Sequence, residues 1–118
     1  MRVISGAAKG RTLKPAGSAT RPITERGKES LFDILAARVL DANVLDLFAG
    51  AGSVGIEALS RGARAATFVE LDRDALNAIR ANLETTRLAN RARVVRLDVF
   101  KFLRRDAEEA VTVQIDGL

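Results

Sequence analysis

A glycine-rich turn near the middle of the chain constrains the fold more than any other feature of the sequence. An apolar run over residues 44–49 is followed at once by Gly50, Gly52 and Gly55, with the spacing G-x-G-x-x-G, and residues 53–61 then show a helical pattern. Glycines at these positions let the backbone turn sharply and let a ligand approach the amino end of the helix. The segment predicts the first unit of a nucleoside-binding α/β domain, although a tight strand-to-helix turn without a ligand has the same spacing.

Strands and helices alternate along most of the chain. We predict helices over 25–39, 53–61, 74–86 and 99–105, and strands over 44–49, 66–70, 93–97 and 110–115. Alternation of this kind is typical of parallel strands joined by right-handed helical crossovers. The sequence therefore predicts an α/β, Rossmann-like domain with an incomplete parallel sheet of about four strands.

Two of these helices have a pattern that predicts which face is buried. Thr24 is placed to cap the amino end of the first helix. Apolar residues recur at helical spacing in the first and third helices and are expected to face the core. These residues are Leu31, Ile34, Leu35 and Val39 in the first helix and Leu76, Ile79 and Leu83 in the third.

The first 23 residues differ from the rest of the chain in pattern and charge. Residues 2–5 and 11–14 are short β-like runs around a glycine-containing turn, which predicts a small β-hairpin. Residues 1–30 carry a net charge of +5, and the remainder carries a net charge of −1. A basic excess confined to one segment favours docking to a polyanion, although a solvated basic tail gives the same count. We predict a basic hairpin arm over 1–23 and a nucleoside-binding domain over 24–118.

Composition removes several kinds of chemistry. The chain has no cysteine and no histidine, which excludes a disulfide scaffold, a thiolate zinc site and a histidine base, and no metal site is expected. The most apolar run, residues 47–56, is about half the length needed to span a bilayer. No membrane association is predicted, and the expected location is the cytoplasm.

Three acidic residues, Asp46, Glu70 and Asp98, lie in or next to the carboxyl-terminal parts of successive predicted strands. The carboxyl ends of parallel strands meet at one edge of a sheet, where open α/β sheets bind ligands. Glu70 can accept both hydrogen bonds of a ribose diol and Asp46 suits a ligand with an ammonium group. Asp98 either reaches an adenine amino group or caps the helix that follows it.

The acidic edge favours S-adenosylmethionine, which carries an ammonium group and a ribose and has no phosphate. A nicotinamide dinucleotide also fits the glycines, but a buried Asp46 would repel its pyrophosphate. A P-loop nucleotide site is excluded because no Gly-Lys-Ser/Thr sequence follows the glycines.

Residues 46–63 resemble the first cofactor motif of the class I methyltransferases. Together with the N-terminal segment they are similar to the bacterial small-subunit (16S) rRNA guanine-N2 methyltransferase family (RsmD). The similar segments extend over about residues 1–105 and comprise 1–6, 9–11, 21–32, 46–63, 68–72 and 82–83. The resemblance implies a class I methyltransferase fold and S-adenosylmethionine as the cofactor. It also implies a guanine of 16S rRNA as the substrate, in free RNA or in an assembling small ribosomal subunit.

The resemblance further implies roles for individual residues. The methionine part of the cofactor is held by Asp46, Phe48, Gly50 and Gly52. Its ribose is bound by Glu70, and its adenine is contacted by Leu71, Asp98 and Val99. The RNA, mostly its phosphates, is contacted by Lys9, Arg11, Arg21, Arg26 and Lys28.

One motif of the family is absent. The family carries Asn/Asp-Pro-Pro-Tyr/Phe after the fourth strand, where this chain has Asp116 followed by glycine and leucine. Asp116 is the one candidate left to accept a hydrogen bond from the guanine amino group. Three interpretations stay open. The first is a shortened RNA methyltransferase, and the second is a cofactor- or RNA-binding remnant without turnover, completed by pairing of its exposed fourth strand with a second copy. The third is another methyltransferase or a dinucleotide-binding module.

Overall fold

The computed structural model describes residues 1–17, 22–105 and 112–114. Four α-helices are present in this part of the chain: α1 (Glu25–Leu35), α2 (Ser53–Ser60), α3 (Arg73–Thr85) and α4 (Val99–Arg105). Short 3₁₀ turns cover Ala36–Val39 and Ala89–Arg91. The strands are β1 (Asn43–Asp46), β2 (Ala65–Glu70), β3 (Ala92–Arg96) and β4 (Thr112–Gln114).

The four strands form one parallel sheet in the order β3-β2-β1-β4. Side chains that alternate along the strands supply two cores, as expected for a parallel sheet covered on both faces. Val44 and Phe68 join the larger core, with α2, α3 and the N-terminal segment. Leu45 and Val69 face the other way and pack with Phe102 of α4. The predicted α/β class and the parallel sheet of four strands are confirmed.

Helix α2 packs unusually close to β2. A Cβ atom built on Gly55 would lie 2.3 Å from Cε1 of Phe68, which is too short for a contact between two carbon atoms. The third glycine of the loop is therefore required by packing between helix and strand, as in the dinucleotide-binding fingerprint.

The prediction for the first strand, 44–49, was too long. Strand β1 ends at Asp46, and a hydrogen bond of 2.7 Å from the Gly52 amide to the Ala49 carbonyl closes a turn after it. Leu47 and Ala49 lie outside the strand and are still buried. The apolar run therefore continues into the turn, which is why it overstated the length of the strand.

The prediction for the buried face of α1 was wrong at one position. Leu31, Leu35 and Val39 pack on the core, but Ile34 is 79% exposed. The buried face is instead centred on Phe32 and on Lys28, which lies one turn before it. The helix also changes to a 3₁₀ turn at Ala36–Val39, which alters the direction of the last apolar position.

The N-terminal arm forms a reduced hairpin. Arg2 and Thr12 make one antiparallel bridge rather than a ladder, with amide-to-carbonyl bonds from Val3 to Arg11 (2.9 Å) and from Leu13 to Met1 (2.7 Å). Val3 and Leu13 are buried in the larger core. Residues 1–13 thus share a hydrophobic core with the helices, and the boundary at residue 23 stays a prediction.

No helix in the described part of the chain is both long and apolar enough to cross a membrane. Nor do these residues include a cluster of three or more metal-ligating side chains.

Candidate functional site

The sheet brings the three predicted acids to one edge. Asp46 ends β1 and is in register with Phe68, two residues before Glu70 ends β2. Glu70 is in register with Arg96 of β3, and Asp98 lies two residues beyond it. Because the strands are adjacent and parallel, the acids occupy neighbouring positions along the carboxyl edge. Asp46 is fully buried, whereas Glu70 and Asp98 are partly buried.

The glycine loop connects β1 to α2 at the same edge. Gly50 and Gly52 have φ angles of 55° and 84°, in the region that favours glycine. A Cβ atom on Gly52 would also lie within 3.3–3.4 Å of Ile56, Phe68 and Ile79. The loop therefore closes tightly over the sheet and ends at Ser53, where the free amides of α2 begin.

Glu70 bonds the glycine loop to the end of β2. One carboxylate oxygen accepts a hydrogen bond of 2.9 Å from the Gly50 amide. The other oxygen accepts bonds of 2.9 Å from the amides of Leu71 and Asp72. A carboxylate offers about four lone-pair sites, so three bonds leave capacity for a hydroxyl donor. Glu70 therefore links the loop to the strand and has capacity left for about one hydroxyl donor; a second hydroxyl of a diol would have to replace one of the three amides.

Apolar side chains at this edge are open to solvent. Phe48 is 51% exposed and Leu71 is 55% exposed, and each follows the end of a strand. Val99, at the start of α4, is partly buried. Such side chains can pack on the flat face of a purine.

Asp98 caps helix α4. Its Oδ1 accepts hydrogen bonds from the amides of Phe100 (3.0 Å) and Lys101 (3.2 Å). This bonding satisfies donors at the amino end of the helix, which was the alternative role considered for Asp98. Contact with adenine stays a prediction.

The predicted RNA contacts differ in exposure. Lys9, Arg11 and Arg26 are exposed to solvent. Arg21 and Asp116 lie outside the described residues. The prediction for Lys28 was wrong, because this side chain is fully buried and cannot reach a phosphate.

Lys28 is instead part of a buried polar cluster. Its Nζ lies 3.2 Å from Oε1 of Glu57 and donates to Ser53 Oγ at 2.9 Å and to the Arg2 carbonyl at 2.8 Å. Burial lowers the pKa of Lys28, and the Glu57 carboxylate opposes that shift. Glu57 also accepts hydrogen bonds from the amides of Ile4 (2.9 Å) and Ser5 (3.0 Å).

Asn82 makes a second buried polar connection, which the sequence analysis did not predict. Its Oδ1 accepts from the Lys14 amide at 2.6 Å, and its Nδ2 donates to the Lys14 and Ala51 carbonyls at 2.9 Å each. Asn82 is 1% exposed. Its position beside Leu83, on the apolar face of α3, was the available signal that it faces inward.

The described residues also form a shallow depression away from the acidic edge, at the carboxyl end of α2. It is lined by Ser5, Gly6, Phe32, Asp33, Ala36, Ser60, Arg61 and Gly62. None of the predicted site residues lines it.

Comparisons with known proteins identify relatives of this chain. A family model described as Conserved hypothetical protein 95 matches residues 1–116. Ribosomal RNA small subunit methyltransferase D of Escherichia coli K12 is 44% identical over 104 residues, which cover 87% of this chain and 52% of that protein. Its Haemophilus influenzae counterpart is 39% identical over 107 residues, covering 89% and 55%. The chain thus spans about half the length of these relatives.

Solved structures show the same fold. A hypothetical protein of Thermus thermophilus superimposes with a TM-score of 0.78 at 37% identity, covering 90% of this chain and 60% of that one. An RNA methyltransferase of Salinibacter ruber, solved with S-adenosyl-L-homocysteine, gives a TM-score of 0.68 at 24% identity, covering 80% and 60%. At that identity the second likeness concerns the fold alone. The fold is that of the class I methyltransferases.

Proposed function

This chain belongs to the family described as Conserved hypothetical protein 95, the RsmD family, and we propose that it acts in S-adenosylmethionine-dependent methylation of rRNA. The observation that carries the proposal is the bond between the Gly50 amide and the Glu70 carboxylate. It joins the glycine loop to the acid that we propose binds the ribose, at the carboxyl edge of a methyltransferase fold.

The charges at this edge support S-adenosylmethionine over a dinucleotide. A pyrophosphate would need the loop amides as donors, but the Gly50 amide already donates to Glu70. The carboxylates of Asp46 and Glu70 would also repel the negatively charged pyrophosphate of a dinucleotide. A ligand with a cationic sulfonium and an ammonium group meets no such repulsion.

The proposed cofactor residues each have a defined part. The methionine portion would be held by the last residue of β1 and by the loop that follows it, through Asp46, Phe48, Gly50 and Gly52. Glu70 would bind the ribose hydroxyls. The adenine would pack against Leu71 and Val99, with Asp98 near its amino group.

The RNA surface that we propose is the exposed basic part of the arm and the start of α1, formed by Lys9, Arg11 and Arg26, with Arg21 as a further contact. Such side chains bind phosphates and set the orientation of the RNA, without reading its sequence. The proposed substrate is 16S rRNA, free or in an assembling small subunit.

The proposed reaction is methylation of a guanine N2 atom. Bound S-adenosylmethionine supplies an electrophilic methyl group. The residues of the chain contribute mainly by placing the two reactants in line, which can supply much of the rate enhancement. Asp116 is proposed to accept a hydrogen bond from the guanine amino group and so orient its lone pair.

Binding without turnover is the second candidate function. Within the described residues, the cofactor edge and the basic arm contain no proposed contact to the guanine base. A second copy paired along β4, which lies at one edge of the described sheet, is the proposed way to complete such a site. Transfer of labelled methyl groups from S-adenosylmethionine to 16S rRNA separates the two candidates, because only the first predicts RNA-bound label.

The RNA surface is tested by the salt dependence of RNA binding. We expect the Lys9→Ala/Arg11→Ala variant to bind 16S rRNA more weakly and to reduce the slope of log affinity against log salt by about 0.7 per lost phosphate contact. Arg80→Ala, which removes an exposed charge from α3, is the matched control and should leave the slope unchanged. Equal slopes for the arm variant and the wild type would contradict the assignment.

A further inference from the structure

The arm is connected to the glycine loop through two separate buried side chains, one for each β-like run of the arm. Asn82 joins Lys14, the last residue of the second β-like run, to Ala51 in the loop. Lys28 joins Arg2, in the first run, to Ser53 at the end of the loop. The proposed RNA-binding arm and the proposed cofactor loop are therefore bonded to the same two side chains.

We propose that RNA binding on the arm and cofactor binding at the glycine loop are energetically coupled, with Asn82 as the positioning residue that transmits the coupling. The inference rests on the proposed function, because it needs both ligands. It goes beyond that function by making the arm a support of the cofactor loop, and not only a contact for RNA.

The bonding of Asn82 explains how a movement would pass between the two sites. All three of its hydrogen bonds are 2.9 Å or shorter, and the side chain is buried. Neither Lys14 nor Ala51 can shift relative to Asn82 without leaving a buried polar group unsatisfied, which is unfavourable. A displacement of the Lys14 backbone is thus carried to the backbone between the two loop glycines.

Packing reinforces this connection. Ala16 of the arm forms a buried cluster with Ala51 of the loop and with Ala75 and Ala78 of α3. Small side chains allow these backbones to approach closely, so the arm and the loop have little freedom to move independently. The side chain of Lys14 is exposed. A phosphate bound there would act on the same backbone segment that Asn82 holds.

Thermodynamic linkage supplies the test. The affinity for S-adenosylhomocysteine, which prevents turnover, is measured by calorimetry with and without saturating 16S rRNA, and RNA affinity is measured with and without S-adenosylhomocysteine. In the wild type we expect each ligand to tighten the other by the same factor, about fivefold or more. In Asn82→Ala, where the Lys28 connection remains, we expect that factor to fall at least about twofold while each ligand alone still binds.

Ser60→Ala is the matched control. Ser60 is also buried and also holds the arm, through bonds with the Ala8 amide (2.9 Å) and the Ser5 carbonyl (2.6 Å), and these two hydrogen bonds join it to the arm and not to the glycine loop. A loss of arm packing alone would affect both variants, whereas the proposal predicts that Ser60→Ala keeps the coupling factor. Asn82→Ser, which is too short to bond both Lys14 and Ala51 and adds no buried charge, serves as a second variant if Asn82→Ala does not fold.

The possible results separate this inference from the proposed function. A coupling factor of one in the wild type, with both ligands bound, would overturn the coupling and leave the proposed function standing. An unchanged factor in both Asn82 variants would overturn the role of Asn82. Failure of the folded wild type to bind S-adenosylhomocysteine or RNA would overturn the proposed function, and the coupling with it.

Discussion

The two sides of the glycine loop differ in how they are held. The arm side, formed by Lys28, Glu57 and Asn82, is buried and bonded throughout. The strand-edge side, formed by Phe48, Glu70 and Leu71, has exposed apolar side chains, with an acid that still has capacity to bind. A loop that is held on its arm side and accessible on its strand-edge side is preorganised, which lowers the cost of ordering it when a ligand binds.

The largest effect is expected on the arm side, from Glu57→Ala. This change leaves Lys28 buried without its carboxylate and removes the acceptor for two arm amides. Loss of one partner of a buried ion pair typically costs about 3–5 kcal/mol, so we expect a loss of that size in the free energy of unfolding. Chemical denaturation with urea measures it.

A second ion pair of the arm provides the control for this prediction. Arg2 and Glu25 lie 2.8 Å apart and are both exposed. Exposed pairs gain little because solvent screens them. Glu25→Ala should leave the unfolding transition unchanged within error, and equal losses for the two variants would contradict the distinction between buried and exposed pairs.

The next effect concerns the packing that fixes the loop on the sheet. Gly55→Ala places a methyl group against the ring of Phe68 and should destabilise the fold by about 1–3 kcal/mol, the usual cost of overpacking. Combining it with Phe68→Leu should recover part of that loss, because the smaller side chain makes room. A double-mutant cycle measured by denaturation tests this, and strictly additive losses would show that the two positions do not clash.

On the strand-edge side the effect is expected in binding. Glu70→Ala removes the proposed partner of the ribose and the bond to Gly50, and should weaken S-adenosylmethionine binding about tenfold to hundredfold, as for loss of a charged hydrogen bond. Glu84→Ala, an exposed acid on α3, should bind as the wild type does. If both variants bind equally well, Glu70 does not bind the ribose.

The smallest effect is a dependence on pH. Because burial lowers the pKa of Lys28, the unfolded chain holds this proton more tightly than the folded chain. The unfolded state therefore binds more protons between the folded pKa and the ordinary lysine value, and stability rises with pH across that window. Relative to a Lys28→Met/Glu57→Leu variant, the wild type should gain stability as the pH is raised towards about 10.4. A relative loss over that range would contradict the direction of the shift.

The sequence predicts local features well where one short segment determines them. Leu76, Ile79 and Leu83 are all buried as their spacing indicates, and Thr24 caps α1 by accepting from the Gly27 amide at 2.9 Å. The acidic edge is also predictable, because parallel strands must end on the same side. Each of these features depends on periodicity or on the direction of a strand.

The arm side could not be predicted in the same way. The family resemblance assigned Lys28 to the RNA surface, but its burial depends on partners that are distant in sequence, Glu57 above all. Asn82 likewise bonds to Lys14 and Ala51, which are far from it in the sequence. Pairings of this kind arise from the tertiary fold, and no local pattern specifies the partner.

The central claim is that the glycine loop and the acidic edge form a pocket for S-adenosylmethionine. Calorimetric titration of the chain with S-adenosylmethionine, and separately with a nicotinamide dinucleotide, tests it most directly. We predict saturable binding of S-adenosylmethionine at one site and no binding of the dinucleotide. Absence of S-adenosylmethionine binding by the folded chain, or equal binding of the dinucleotide, would contradict the claim.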